Sequence, residues 1–216
     1  PAVAEFMDDL SIKAAEKYLG RPLPHSAEAG AFVLFSLEGE SIEELENAMI
    51  RLDELSRGLG APEVLAAFDE GQQDRLWESR RILGKAMKTE GGEVGKADVV
   101  VPKGEIPLLV RKIKDISAEF SIDIACFGHA GDGNVHVNVL RRGLGQEEWE
   151  KTIEAVMAKI MEAVAALGGR PSGEHGIGCL KTREMATFVG ERAVELMRGV
   201  KKVFDPKGIL NPGKVI

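Results

Sequence analysis

Residues 121–140 constrain the fold of this 216-residue chain more than any other stretch. An apolar run at 121–127 is followed by glycine and aspartate at 130–134 and by a second apolar run at 135–140. Two short apolar runs joined by such a turn predict a β-hairpin. The fold should therefore contain an antiparallel pair of strands at this point of the chain.

Polar side chains stand at regular positions on the predicted hairpin. His129 lies at its mouth, next to the turn. Side chains alternate along a strand, so His136 and Asn138 share one face, whereas the valines that alternate with them pack against the other. The glycines at 128, 131 and 133 allow positive φ and a close approach of the backbone, as small-molecule sites often need.

A second glycine-rich segment, at 171–178, carries Glu174 and His175. Three of the four histidines of the chain lie in these two segments, and the fourth, His25, lies in a proline-containing stretch that is typical of a surface loop. A single histidine is more often a satisfied polar residue than a ligand, but this concentration favours a shared site. Two imidazoles and a carboxylate suit zinc, and also ferrous iron or manganese, and the third histidine is a spare base.

Composition excludes several classes of function. The net charge of −7 gives no basic patch for nucleic acid. No apolar run reaches the roughly 18 residues of a membrane span, and no signal-peptide pattern opens the chain, so we expect a cytoplasmic protein. The two cysteines, Cys126 and Cys179, are expected to be reduced, buried thiols, with soft metal ligation as the alternative.

Periodicity predicts an alternation of helices and strands. Strands are predicted at 30–37 and 98–101 besides the hairpin, and helices at 41–58, 71–88, 105–120, 146–167 and 190–203. Residues 62–68 favour a strand, although their alanines also suit a helix. The stretches 20–29 and 89–96 are linker-like, and the last thirteen residues are irregular. This order indicates an α+β fold with a mainly antiparallel sheet covered by helices on one face.

Three motifs together carry a family resemblance. They are Gly-His-Ala-Gly-Asp-Gly-Asn-x-His at 128–136, Gly-Glu-His-Gly-Ile-Gly at 173–178, and Phe-Asp-Pro-Lys-Gly-Ile-Leu-Asn-Pro-Gly-Lys at 204–214. In this order they resemble the C-terminal part of the FAD-linked 2-hydroxy-acid dehydrogenases, the family of D-lactate dehydrogenase, D-2-hydroxyglutarate dehydrogenase and the flavin subunit of glycolate oxidase. The resemblance runs the full length of the chain.

The resemblance implies an architecture and a set of partners. Residues 1–216 would form the substrate, or cap, domain with a ferredoxin-like sheet, and an N-terminal FAD-binding domain absent from this chain would hold most of the FAD. The first residue is proline, and the chain is expected to be an excised fragment that is inactive alone. The implied partners are a small 2-hydroxy acid and an electron-acceptor protein or quinone, through which the full enzyme would associate with a membrane.

The resemblance also assigns roles to residues at the two glycine-rich segments. The metal ligands would be His129, His136 and Glu174, holding a divalent ion, zinc first and manganese or iron as alternatives. The ion would bind the hydroxyl and carboxylate oxygens of the substrate as a Lewis acid. His175 would be the catalytic base that takes the hydroxyl proton while the α-hydrogen passes to the flavin as hydride.

Further residues are implied as contacts to substrate and flavin. Arg80, in Trp77-Glu78-Ser79-Arg80, would pair with the substrate carboxylate through its planar fork, and Lys96 and Asn138 would also reach the substrate. Asn211, in the closing motif, would contact the edge of the flavin. Gly84 stands where some members place a polar side chain, which favours lactate- or glycolate-sized substrates over longer diacids.

Two other classes of function use the same residues. A flavin-independent metal hydrolase or ferrous oxygenase would need only the two histidines and the glutamate. A binding or assembly module would use the glycines and histidines for structure and hold neither metal nor substrate. The motif at 204–214 favours the flavin-linked interpretation, because a hydrolase has no evident need for it.

Overall fold

The computed structural model describes residues 1–179, 181–182 and 185–216, and the elements below are those of this part of the chain. The strands are β1 (Val3–Asp8), β2 (Ala31–Ser36), β3 (Val94–Val100), β4 (Ile124–His129) and β5 (Asn134–Leu140). The helices are α1 (Asp9–Leu19), α2 (Ile42–Gly58), α3 (Glu70–Gly91), α4 (Ile106–Phe120), α5 (Gln146–Ala166), α6 (Met185–Val189) and α7 (Glu191–Phe204).

The strands form one open sheet in the order β2-β1-β4-β5-β3, and every neighbouring pair is antiparallel. The predicted hairpin is its centre, because β4 and β5 pair with Ile124 opposite Val139 and His129 opposite Asn134. The α+β fold class with a mainly antiparallel sheet is therefore confirmed.

Helices cover both faces of the sheet. On one face, side chains such as Val99, Cys126 and Val137 pack against α4 and α5. On the other, Met7 and Phe127 pack against α1 and α3. The expectation of helices on one face only was wrong, because β1 and α1 were not predicted and they, with α3, build the second layer.

The N-terminal elements depend on a buried carboxylate. Asp8 caps α1, since its Oδ1 accepts a hydrogen bond from Ser11 N at 2.8 Å. Its Oδ2 accepts from Cys126 N at 2.7 Å and so ties α1 to the middle of β4. Burial is the largest influence on the pKa of Asp8 and raises it, although these hydrogen bonds oppose the effect. Residues before position 20 thus form a central part of the core.

The predicted start of α2 at Ser41 is confirmed, with its hydroxyl accepting from Glu44 N at 3.2 Å. The Glu44 carboxylate accepts from Glu40 N at 3.0 Å, so the reciprocal capping bond goes one residue upstream of the cap. Two other predictions were wrong. Residues 62–68 form neither strand nor helix, and residues 94–96, expected in a linker, belong to β3.

Gly95 lies in the part of β3 that precedes the predicted strand at 98–101, and its lack of a side chain is required there. It pairs with Val139 in the register of β3 and β5, and a Cβ atom there would overlap the Ile153 side chain of α5. The glycine that indicated a linker instead lets α5 lie close against the sheet.

The two cysteines have different surroundings. Cys126 is buried as expected, but on the α4 and α5 face, whereas Cys179 is exposed, which contradicts the prediction of a second buried thiol. Burial raises the pKa of the Cys126 thiol well above its usual value. Among the described residues, no helix has both the length and the apolar composition needed to cross a membrane.

Candidate active site

The two histidines of the hairpin converge at one end of the sheet. His129 ends β4, and His136 lies near the start of β5 on the face that α3 covers. Their rings stand edge to face with centroids 5.2 Å apart, and their Nε2 atoms are 3.4 Å apart. The hairpin expected from the sequence therefore brings both imidazoles to one end of the sheet.

The tight turn between the histidines depends on Gly133. Its φ is 82°, and a Cβ atom there would overlap the carbonyl oxygen of Val101. Gly133 O accepts a hydrogen bond from Val101 N at 3.0 Å, which joins the turn to the end of β3. A side chain at this position would push the turn, and His129 with it, away from the sheet.

The second glycine-rich segment, hereafter the 171–179 loop, follows α5 and is attached to β3. Arg170 and Val100 exchange two backbone hydrogen bonds of 2.7 and 3.1 Å just before it. The loop then wraps around one oxygen of a buried carboxylate: Asp98 Oδ2 accepts from Ser172 Oγ at 3.2 Å and from the backbone N–H groups of Gly173, Glu174 and His175 at 3.0, 2.9 and 2.8 Å.

These hydrogen bonds change the acidity of Asp98. Burial raises its pKa, but the backbone N–H groups of His175, Glu174 and Gly173 outweigh burial and lower it to about 2. Asp98 is 2% exposed, and its other oxygen, Oδ1, is buried without a hydrogen-bond partner among the described residues. A buried, charged oxygen without a partner, such as Asp98 Oδ1, indicates that the site accommodates a further positive or hydrogen-bonding group.

Glu174 completes a set of three converging ligand atoms. Its Oε1 lies 3.4 Å from His136 Nε2 and 3.9 Å from His129 Nε2, while the two Nε2 atoms are 3.4 Å apart. A tetrahedral ion with ligand bonds of about 2.1 Å separates its ligand atoms by roughly 3.4 Å. The donor set therefore fits a metal ion of the kind predicted, with a fourth position open.

A second grouping of donors overlaps with the first. One ligand atom from each of Asp98, His136, Glu174 and His175 lies within 4.8 Å of the others. Asp98 can offer only its Oδ1, because its Oδ2 already accepts four hydrogen bonds, and Oδ1 faces His136 Nδ1 rather than the Nε2 atoms that meet Glu174. Burial lowers the pKa of His136, while the charge of Asp98 opposes the shift, which favours the neutral imidazole that metals bind.

His175 lies beside this set and faces solvent. Its ring stacks on that of His136, with centroids 5.6 Å apart and planes at 13°. Its Nε2 is 3.5 Å from Glu174 Oε1. The side chain is 58% exposed, so it can reach a small molecule that enters the cleft in front of the ligand set.

That cleft has a volume of about 180 Å³. At ~30 Å³ per water molecule it holds about six waters, the size of a small organic acid. Residues bordering it include Gly84, Lys96, Asn138, His136, Glu174 and His175. Lys96 and Asn138 lie opposite each other on β3 and β5, so the predicted substrate contacts come from adjacent strands.

Arg80 reaches the site through Glu5 of β1. Its Nε and Nη2 atoms both lie 2.7 Å from Glu5 Oε2, and Glu5 Oε1 lies 2.5 Å from His129 Nδ1. The guanidinium carbon is 5.0 Å from the centre of the Phe127 ring, which lines the cleft. Arg80 is thus at the edge of the cleft, with two of its donors engaged by a protein carboxylate.

Asn138 and Asn211 have contrasting positions. Asn138 is buried, and its Nδ2 donates to His136 O at 3.3 Å. Asn211 is exposed on the C-terminal tail with a φ of 45° and lies outside the cleft. The tail nevertheless joins the site, because Val215 N donates to Gly178 O at 2.7 Å.

Glu5 and Asp98 are the site residues that the sequence interpretation missed. Glu5 is 5% exposed and precedes Phe6 and Met7 in β1, and Asp98 is 2% exposed and precedes Val99 and Val100 in β3. For Asp98 a signal was available, because a carboxylate opens the predicted strand at 98–101 and acids are rarely fully buried unless they are paired; Glu5 lies in a segment that was not predicted as a strand.

The match that assigns the family extends over nearly the whole chain. Residues 1–215 match the family model described as FAD linked oxidases, C-terminal domain. This chain belongs to the FAD-linked oxidase C-terminal domain family.

Relatives of this FAD-linked oxidase domain are named as 2-hydroxy-acid enzymes. The chain is 34% identical over its full length to D-lactate dehydrogenase of Anaerostipes hadrus and 37% identical to D-lactate dehydrogenase of Archaeoglobus fulgidus, covering 46% of each. It is 34% identical to glycolate oxidase subunit GlcD of Bacillus subtilis, covering 45% of that protein. The domain thus spans about half the length of the curated relatives it matches.

Solved structures share the fold of the domain. The 4-ethylphenol oxidase of Gulosibacter chungangensis aligns over 99% of this chain and 47% of its own, with a TM-score of 0.68 at 17% identity. p-Cresol methylhydroxylase aligns over 99% of this chain and 46% of its own, with a TM-score of 0.65 at 14% identity. At these identities the likeness concerns the fold alone.

Proposed function

We propose that this chain is the substrate-binding part of a flavin-dependent dehydrogenase that oxidises a small D-2-hydroxy acid, of the lactate or glycolate type, to the 2-oxo acid. The observation that carries the proposal is the convergence of His129, His136 and Glu174 at a cleft of about 180 Å³, with His175 beside them. The names of the relatives, D-lactate dehydrogenase and glycolate oxidase subunit, support the choice of substrate.

The FAD is assigned to a partner domain. When bound, FAD accepts the hydride from the α-carbon of the substrate. An N-terminal FAD-binding domain would hold most of it, and the C-terminal tail with Asn211 would face its edge. The chain alone is then expected to be inactive, and the electrons leave the full enzyme through an acceptor protein or quinone. We place the full enzyme in the cytoplasm, where it would associate with a membrane through such partners.

A divalent metal ion, zinc or alternatively manganese or iron, is assigned to His129 Nε2, His136 Nε2 and Glu174 Oε1. When bound, it supplies a positive charge that lowers the cost of deprotonating the substrate hydroxyl. Arg80 already offsets the charge of Glu5, while Asp98 and Glu174 add two negative charges close to the imidazoles. This local balance favours a divalent cation.

The remaining roles fall to side chains around the cleft. His175 accepts the hydroxyl proton, which its exposed position allows it to pass on to water. Lys96 lines the cleft and offers a positive charge to the substrate carboxylate, and Arg80, which lies over the Phe127 ring of the same cleft, offers a second. Asn138 orients the substrate from the strand that carries His136. The Phe127 ring lines the cleft and makes one of its walls apolar.

The decisive experiment follows flavin reduction by D-lactate and by glycolate, in the absence of oxygen, in the enzyme that joins this chain to its FAD-binding domain. His175→Ala should slow the reduction by at least about 100-fold while FAD and metal contents stay unchanged. His25→Ala, which changes a histidine far along the chain, is the matched control. An undiminished rate in His175→Ala would remove the base assignment. Turnover of esters or amides without flavin would instead favour the hydrolase alternative.

A further inference from the structure

We infer that Glu5 and Asp98 are positioning residues that hold His129 and His136 in the tautomer with the proton on Nδ1, so that both Nε2 lone pairs are presented to one point. This inference rests on the proposed metal site and extends it to two residues that touch neither metal nor substrate. It follows from how each carboxylate divides its two oxygens between different neighbours.

Glu5 and His129 lie directly opposite each other on β1 and β4. One oxygen of Glu5, Oε2, faces Nε and Nη2 of Arg80, each at 2.7 Å. The guanidinium group has donors and no acceptor, so Oε2 must be an oxygen that accepts. The ion pair favours the carboxylate form of Glu5, so its other oxygen, Oε1, which lies 2.5 Å from His129 Nδ1, accepts a hydrogen bond from that nitrogen.

Asp98 and His136 repeat this arrangement on β3 and β5, where they also lie directly opposite each other. The oxygen Oδ2 faces three backbone N–H groups of the 171–179 loop, which again are donors only. The oxygen Oδ1 faces His136 Nδ1 at 3.5 Å and has no hydrogen-bond partner within the described part of the chain, so it is the acceptor available to that nitrogen. Both histidines therefore meet an acceptor at Nδ1.

The Nδ1 contacts fix which nitrogen can bind a metal. A neutral imidazole carries one proton, so a proton held on Nδ1 leaves the lone pair on Nε2. The two Nε2 atoms are those that converge with Glu174 Oε1. Asp98 has a further effect, because the same carboxylate that orients His136 also holds the backbone of Glu174 and His175.

Replacing each carboxylate by the amide of the same shape tests the inference. The hydrogen-bond donors that already face one oxygen of each carboxylate determine which end of the amide carries the NH₂ group. In Glu5→Gln the amide oxygen must stay with Arg80, so the NH₂ group faces His129 Nδ1. In Asp98→Asn the oxygen must stay with the loop N–H groups, so the NH₂ group faces His136. Each NH₂ group requires an acceptor at Nδ1, which moves the ring proton to Nε2 and removes the lone pair from the metal position.

The first measurement is the tautomer of each histidine, read from ¹⁵N shifts and two-bond ¹⁵N–¹H couplings in the metal-free protein. We expect Nδ1–H for His129 and His136 in the wild type, and Nε2–H for His129 in Glu5→Gln and for His136 in Asp98→Asn. A purely structural role for the two acids would not move these signals in a folded variant. Unchanged Nδ1–H tautomers in both variants would overturn the inference.

The second measurement is affinity for Zn²⁺, by competition with a chromophoric chelator. Each amide variant should bind about 10- to 100-fold more weakly than the wild type. Matched controls are Glu78→Gln, which alters a partly exposed glutamate paired with Arg21, and Asp9→Asn, which alters a partly exposed aspartate paired with Lys114. Wild-type affinity in both amide variants would contradict the positioning role.

The two measurements separate failure of the inference from failure of the proposed function. A wild-type protein that binds no Zn²⁺ would remove the metal site, whereas the tautomers, measured without metal, would still decide the roles of Glu5 and Asp98. If Asp98→Asn does not fold, Glu5→Gln decides alone, because Glu5 makes no contact with the 171–179 loop backbone among its hydrogen bonds.

Discussion

Asp98 and His136 face each other across β3 and β5, with Asp98 Oδ1 3.5 Å from His136 Nδ1, while the other oxygen of Asp98 holds the loop that carries Glu174. One buried carboxylate thus connects ligands that are far apart in the sequence. Sheet register sets one half of the site and loop hydrogen bonds set the other. The arrangement predicts that metal binding depends on the hairpin and the loop together.

The metal content of the purified chain is the most direct prediction. We expect about one divalent ion per chain, and its loss in His136→Ala, because two remaining ligands cannot hold an ion tightly. Elemental analysis measures this, and circular dichroism confirms that the variant is folded. His25→Ala should keep the ion. Retention of the ion in His136→Ala would show that another group of donors binds it.

Arg80 is predicted to stabilise the fold as well as to border the cleft. Its side chain is 14% exposed and that of Glu5 7% exposed, so Arg80→Ala leaves a buried carboxylate with a single partner. Loss of one member of a buried ion pair costs about 3–5 kcal/mol of unfolding free energy. Urea denaturation measures the cost.

Two further variants test the cause of this loss. Arg81→Ala, on the exposed side of the same helix, should change stability by less than about 1 kcal/mol, because the Arg81 pair with Asp74 is exposed. Adding Glu5→Gln to Arg80→Ala should recover part of the loss, since the buried charge is then gone. An equal loss in the single and double variants would mean that Arg80 acts through packing on Phe127.

The local parts of the site were predictable from the sequence. The glycines of the turn and the alternation of His136 and Asn138 with valines depend on neighbours only a few residues away, and the hairpin follows them. Glu5 was not predictable, because its burial arises only when β1 pairs with β4 more than a hundred residues later. The sequence pattern of β1 alone does not show that it is the strand next to the hairpin.

The difference between local preference and long-range pairing also bears on the two segments whose secondary structure was predicted wrongly. Residues 62–68 have strand-forming and helix-forming composition but adopt neither structure. Gly95 indicated a linker because glycine is rare in strands, yet long-range pairing with Val139 extends β3 through it. Pairing with β5 and packing against α5 decided the structure around Gly95, and local sequence preference contains no information about either contact.

Gly84 is predicted to be a position where the size of the cleft can be changed without loss of the fold. It lies inside α3 and lines the cleft, and a Cβ atom there meets nothing within 4 Å. Gly84→Ala should raise the unfolding free energy by about 0.5–1 kcal/mol, since alanine favours the helix. In the joined enzyme it should raise the KM for lactate more than that for the smaller glycolate.

Gly20 gives the contrasting control. It ends α1 with a φ of 67°, a conformation that alanine adopts only with strain. Gly20→Ala should therefore lower the melting temperature while leaving the KM values unchanged. A lower melting temperature for Gly84→Ala would show that α3 has no room at this position.

Asp205 is predicted to make stability depend on acid pH. Its Oδ1 and Oδ2 accept from Ile209 N and Leu210 N at 3.0 Å each, and Lys201 Nζ lies 3.3 Å away. Burial raises the pKa of Asp205, but these hydrogen bonds and the lysine charge outweigh burial and lower it below 3.8.

A lowered pKa in the folded state means that the unfolded chain takes up the proton first as the pH falls. The contribution of Asp205 to stability is therefore fully present above the unfolded pKa of about 4 and is lost as the pH falls through the folded pKa. Asp205→Asn should be less stable than the wild type at pH 7, and the difference should shrink as the pH falls below about 4. Urea denaturation at a series of pH values measures it, with Asp74→Asn as the exposed control. A difference that does not change as the pH falls below about 4 would show that the charge of Asp205 does not hold the tail, and that the shape of its side chain does.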